Sequence, residues 1–300
     1  DTVAGGDQDA TLDVDTLNTA AANVILQANN DITINNMDGT TKDVSIATAG
    51  VTLTMQAGRS VTINDNVSTN NGAITITANE TEANGVQDGN RDAGIAGITL
   101  ADGKTINAGN QDITITMSTG PTTNNSSGDI SLENLTTTGD ILVQNNGPTA
   151  GSGIVRQSAD ALLTASSIAL DVTGAGGGGE IGASGSPIRV TATNLEAQGQ
   201  GGGVYINSPN QGITLGGATL GGLTGVSTTA GDGPISVTVD TGNLDTSEAI
   251  SANGSGTVTL DATAADASLT IGASGDVDSG SGLITLSADG NIDLATGGTV

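Results

Sequence analysis

Lys42, Lys104, Arg59, Arg91, Arg156 and Arg189 carry all the positive side-chain charge of this chain, against 32 Asp and Glu; histidine and cysteine are absent. That inventory settles much of the available chemistry. A Ser-His-Asp or Cys-His nucleophilic site needs an imidazole the chain does not have, and thiolate or imidazole zinc sites fail for the same reason. Lys42 and Lys104 stand alone in TTKD and DGKT, with no neighbour to mark either amine as a nucleophile. The glycine-rich stretches lack the Lys-Ser/Thr ending of a phosphate-binding loop.

Carboxylates are the remaining reactive groups. With 32 of them, a glycosidase-like pair could arise, yet a sugar site also wants aromatic surfaces and Tyr205 is the single aromatic residue. Asp88, Asn90 and Asp92 alternate as calcium ligands do, but Ala93 occupies the sixth position and Thr99 the twelfth, where Gly and a bidentate Glu belong. The pairs Thr52/Thr54, Thr75/Thr77 and Thr114/Thr116 could order water or ice if they stacked. Ser131/Glu133, Arg189/Thr191 and Asp293 are expected at comparable positions, which would break the array, and Thr also simply favours strands. No catalytic, cofactor-binding or metal residue is assigned, and the chain is expected not to be an enzyme.

The elements that would have to position any site are strands. The run at 51–78, VTLTMQAGRSVTINDNVSTNNGAITITA, holds VTLTM, VTIN and AITIT, with Val51, Leu53 and Met55, then Val61 and Ile63, then Ile74 and Ile76 alternating with Thr or Asn. A period of two puts aliphatics on one face and hydroxyls and amides on the other. Similar units recur to residue 300, among them DITIN at 31–35, DITITM at 112–117, GDILVQN at 139–145, PISVTVD at 234–240 and LITLSA at 283–288. Intervals such as Val24 to Val44, Val51 to Ile74, Ile74 to Ile98 and Ile235 to Val258 give about 20–25 residues per repeat, a solenoid period. About 13 coils stacked at about 4.8 Å predict a rod of about 60 Å.

Composition supports a narrow repeated core. Gly makes up 47 residues and Phe, Trp and Cys are missing, so Val, Ile, Leu and Ala must fill the interior. A net charge of −26 argues against nucleic acid or anionic membranes as partners. No apolar run is long enough for a helical membrane span. The glycine-rich stretches at 174–185, 199–203 and 216–225 are expected to be corners and small loops, and 80–97 a protruding loop suited to partner contact. Neither end looks like a cap, so open edges invite end-to-end self-association. The start at Asp1, without Met or signal peptide, suggests a processed product or an excerpt.

NVILQANNDITINN at 23–36, LTMQAGRSVTINDNVSTNNGAITITA at 53–78 and GSGLITLSADGNIDLAT at 280–296 resemble the filamentous haemagglutinin-like large exoproteins of Gram-negative bacteria. The resemblance implies a right-handed parallel β-helix, export through an outer-membrane secretion partner, and adhesion to a receptor or glycan on another cell. The expectation is therefore one continuous β-helix over 1–300, a segment of a longer secreted or cell-surface fibre protein. The rival expectations are a polysaccharide-processing enzyme and a calcium- or ice-binding solenoid.

Overall fold

Alternating aliphatics can be buried only if each strand finds a neighbour that presents the same pattern. Here the neighbour is the next turn of the chain. The structure, a computed structural model, describes residues 10–35, 43–81, 86–174 and 177–300; residues 1–9, 36–42 (Lys42 among them), 82–85 and 175–176, and the side chain of Asp88, lie outside that description. It is an all-β parallel solenoid of about 10 turns with about 27 residues per turn.

Each early turn contributes three strands, as in Leu53–Ala57, Val61–Ile63 and Val67–Thr69, followed by Ile74–Ala78, Ala96–Leu100 and Thr105–Gly109. Three faces result, all laddered in parallel. The first face stacks Leu53, Ile74, Ile113, Ile141, Ile168 and Leu195 in register. The second stacks Val61, Ile98, Ile130, Ile154 and Ile181, and the third Val44, Val67, Ile106, Leu135, Leu163 and Val190. These columns are the core, and most of their members are fully buried.

The repeat is longer, and the turns fewer, than the sequence predicts. Val24 pairs with Leu53 rather than with a strand at Val44, and Ile74 with Ile113 rather than Ile98, whereas Ile235 to Val258 is a true register. Spacing is elastic, 39 residues between Asn71 and Asn110 but 23 between Asp232 and Ser255. At about 4.8 Å per turn the stack is about 48 Å long, not 60 Å.

Corner residues bind one turn to the next. Asp31, Asp112, Asp129 and Asp140 each accept, through a side-chain oxygen, the backbone N–H of a residue at the start of the overlying strand, at 2.8–3.0 Å. Asn66 and Asn243 do the same for Thr105 and Ser268 at 2.9 and 3.0 Å. Buried hydroxyls close other corners, Ser208 to the Gln211 carbonyl at 2.8 Å and Ser279 to that of Gly282 at 2.6 Å. Gly72 shows why such corners need glycine, since a Cβ there would lie 1.8 Å from the Val51 carbonyl oxygen.

One turn differs. Asn194–Gly199 and Gly203–Ser208 are each six residues long and form a turn of two strands. The strand Gly203–Ser208 receives both Glu180–Ile181 and Ile188–Thr191 from below, merging the second and third faces. Above Asn194–Gly199 the first face divides into Ile213–Leu215 and Val226–Thr228. The triangular section is thereby redrawn with its corner moved, and this plan repeats to the end.

The first turn is covered, contrary to expectation. The helix Val14–Asn18 buries Leu17, and Asn18 donates to the Asp43 carbonyl at 3.1 Å and accepts from Ser45 N at 2.6 Å. In the last described turn the ladder aliphatics Ile292 and Leu294 are 50% and 58% exposed.

Candidate contact face

Because the inward side of every strand is core, chemistry is confined to outward positions, where identical registers bring distant residues side by side. On the second face Thr33, Thr62, Thr99 and Ser131 form one hydroxyl column that continues into Val155. Beside it Gly97 and Gly128 leave the surface low. The result is an open groove of about 350 Å³, lined by Ser60, Thr62, Thr99, Asp129, Ser131, Val155 and the wall formed by Ile95. Ile95 is 71% exposed and is the largest apolar group at the rim.

Above the groove the same face carries Glu180 and Tyr205. Gly153 lies under the Glu180 side chain, its missing Cβ falling 3.1 Å from Glu180 Cγ, so the carboxylate spans the turn toward Asp129. Burial raises the pKa of Glu180 above the usual carboxylate range, and the Asp129 charge adds to that shift. Tyr205 is held above its ordinary value by burial first and by Glu180 second. The face therefore offers hydroxyls, two carboxylates, one phenol and a small apolar wall. Such a surface can hydrogen-bond an extended, hydroxyl-rich partner along the ladder.

The expected loop at 80–97 proves to be partly an anchor. Val86 and Arg91 are 2% and 4% exposed. Arg91 Nη2 donates to Asn79 Oδ1 at 2.6 Å, while Asn79 donates to the carbonyls of Ser118 and Asn125. At its far end Ile95 stands out and forms the groove wall. In the calcium-like stretch, Asp92 is turned to Asn30, with its N–H on Asn30 Oδ1 at 2.6 Å and Asn30 Nδ2 on its carboxylate at 3.2 Å. Asn90 donates to Gln87 at 3.0 Å. Those oxygens dock the loop, and no group of three or more metal-ligating side chains gathers among the described residues.

The threonine pairs stack further than expected. Thr54, Thr75 and Thr114 share one ladder and Thr77 and Thr116 the next, on the first face. Ser131 and Arg189 lie on other ladders and do not interrupt them. Leu142 and Gln144 end the array in the following turn. Lys104 bonds Asp65 at 3.0 Å, and Arg59 bonds Asp31 at 2.5 Å. The sequence reading missed the 216–225 segment as a cover over the first face, and it missed the groove, because both join residues from separate turns. No protein-family model, curated protein or solved structure matches the chain.

Proposed function

We propose that this chain is a structural and adhesive segment of a secreted, cell-surface protein of the filamentous haemagglutinin-like kind, a shaft whose second face makes contact. The unbroken parallel ladder along the stack is the observation that carries this reading. A ladder that continues through every turn transmits position from one end to the other, as a shaft must. The exposed ladder aliphatics of the last turn suit further coils, supplied by more chain or by a second copy stacking end to end. A lack of cysteine suits passage as an unfolded chain through an outer-membrane partner, and cell fractionation of the native host tests the surface location.

Adhesion is assigned to the hydroxyl groove, and the partner class is a glycan or other hydroxyl-rich chain on a neighbouring cell. At the groove's centre Thr99→Val removes a hydroxyl and Asp129→Ala a carboxylate. Each should weaken binding on a glycan array by about fivefold to tenfold, the worth of one hydrogen bond, with the fold unchanged by circular dichroism. Unaltered binding by both variants would remove the groove from the contact surface.

Hydrolysis of a polysaccharide is the competing reading, favoured by the way Glu180 leans toward Asp129 beside Tyr205. It predicts release of reducing ends that Glu180→Gln abolishes. Binding without release supports the adhesive reading.

A further inference from the structure

The 216–225 segment, GGATLGGLTG, leaves the first face after Leu215 and returns at Val226. Between those points it folds down the outside of the stack. Gly221 reaches Leu142, where a Cβ would come within 2.8 Å of Leu142 Cδ1. Glycines in the left-handed region stand at both roots and at the tip, Gly216 and Gly217 (φ 88° and 83°), Gly221 and Gly222 (66° and 75°), and Gly225 (64°). Most strands bury alternate residues; under this strap every residue of Ser167–Val172 is buried. Outward-pointing Ala169, Asp171 and Glu196 are 0%, 5% and 0% exposed.

Two of those three are acids, and each has one oxygen without a hydrogen-bond partner, Asp171 Oδ1 and Glu196 Oε1. The other oxygen of Asp171 accepts from Gln144 Nε2 at 3.2 Å, and that of Glu196 from the strap's Leu220 N at 3.4 Å. No basic side chain compensates a charge there. The strap has no ionisable residue, the strand Ile141–Asn145 brings Leu142 and Gln144, and no Lys or Arg follows Arg189 in the sequence. Among the described residues, the further titratable group facing Glu196 is Glu248, whose Oε2 accepts from the strap's Gly225 N at 2.7 Å.

We propose that the 216–225 segment is a proton-gated strap, closed over the first face while Glu196 and Asp171 are neutral and lifting when they ionise. A buried ionised carboxylate without a counter-charge is costly, whereas a neutral acid can hold its proton on the unpartnered oxygen and still accept from the strap with the other. Burial raises the pKa of both groups, at Asp171 against the opposing Gln144 and Gln198 amides and at Glu196 with the Glu248 charge and against the strap's own N–H donors. The closed state thus binds protons more tightly than the open one, so closure is favoured at acid pH and lost as pH rises. Lifting bares Leu142 and Ala169 beside the threonine ladder of Thr54, Thr75 and Thr114.

Amide exchange of Leu220 and Gly225 in the intact chain, corrected for intrinsic rate, tests this. Protection should fall severalfold as pH rises from about 4, the ordinary carboxylate range, to about 8. The double variant Glu196→Gln, Asp171→Asn should stay protected throughout. A second measurement uses the absence of native cysteine. Ala169→Cys beneath the strap should react with a maleimide severalfold more slowly at about pH 7.5 when combined with those two substitutions, while Thr219→Cys on the strap's outer side is unaffected. Protection that is flat with pH, or a pH response that survives the double substitution, would overturn the proposal.

Discussion

At the scale of single residues, the corner Asp and Asn side chains do more than permit turns. Each substitutes for the missing ladder partner where the strand begins, so that a backbone N–H leaving one turn finds an oxygen in the turn below. Asp140 is the clearest case, donating its own N–H to Asp112 at 2.9 Å and accepting from Ser167 at 3.0 Å. Asp140→Ala should cost about 1 kcal/mol in urea unfolding, whereas Asp140→Asn, which keeps an acceptor, should be close to neutral. The carboxylate at Asp31 adds a charge effect. Pairing with Arg59, together with the Ser60 N–H, holds its pKa below the ordinary value against the opposing effect of burial. A depressed folded-state pKa gives stability that is present above the unfolded carboxylate range and lost as pH falls through the folded value. Asp31→Asn should therefore flatten the loss of stability below about pH 4, read as urea midpoints across pH. The D-I-T-I and G-D-I wording shows these residues as turn formers, but not that they grip the next turn, because the partner lies 23 to 39 residues away at an elastic spacing.

At the scale of elements, strands that place two aliphatics inward are plain in the sequence and are found where expected: Leu53 with Met55, Val61 with Ile63, Ile74 with Ile76. The third strand is plain at Val44–Ile46 and Ile188–Thr191, each with two inward aliphatics, but not in other turns. Val67–Thr69 and Leu163–Thr164 offer one inward aliphatic apiece, so no alternation develops and NVSTNNG looks like a separator. Overlooking that strand is what shortens the expected repeat from about 27 residues to 20–25. The groove and the strap are invisible for a related reason, since Ser60 meets Ser131, and Leu142 meets Gly221, only after the turns are stacked. Energetically the columns behave as nearest-neighbour stacks. Ile141→Ala in mid-column leaves a cavity with aliphatics above and below and should cost about 2–5 kcal/mol. Ile292→Ala, at a position 50% exposed, should cost under about 1 kcal/mol. Equal losses for the two would mean that stability does not follow position in the stack.

At the scale of the whole molecule, about ten turns share one core without aromatic rings, Tyr205 lying on the outer face, and the turn Asn194–Ser208 lets the cross-section change without breaking a ladder. Charge is distributed unevenly along the axis, for all six basic residues precede residue 190 and the remaining turns carry acids alone. A stiff, anionic stack with one indented face suits a shaft that displays contacts, and that reading depends on the stack being both parallel and rigid. Two outward positions on the first face measure this directly. Thr54 and Thr270 are separated by eight ladder steps, which at about 4.8 Å each is about 38 Å. With spin labels on Thr54→Cys and Thr270→Cys, pulsed dipolar spectroscopy should give one narrow distance near 38 Å, lengthened only by the label arms. A broad distribution, or a peak below about 25 Å where fewer than six such steps would fit, would contradict the rigid parallel stack and the shaft function built on it.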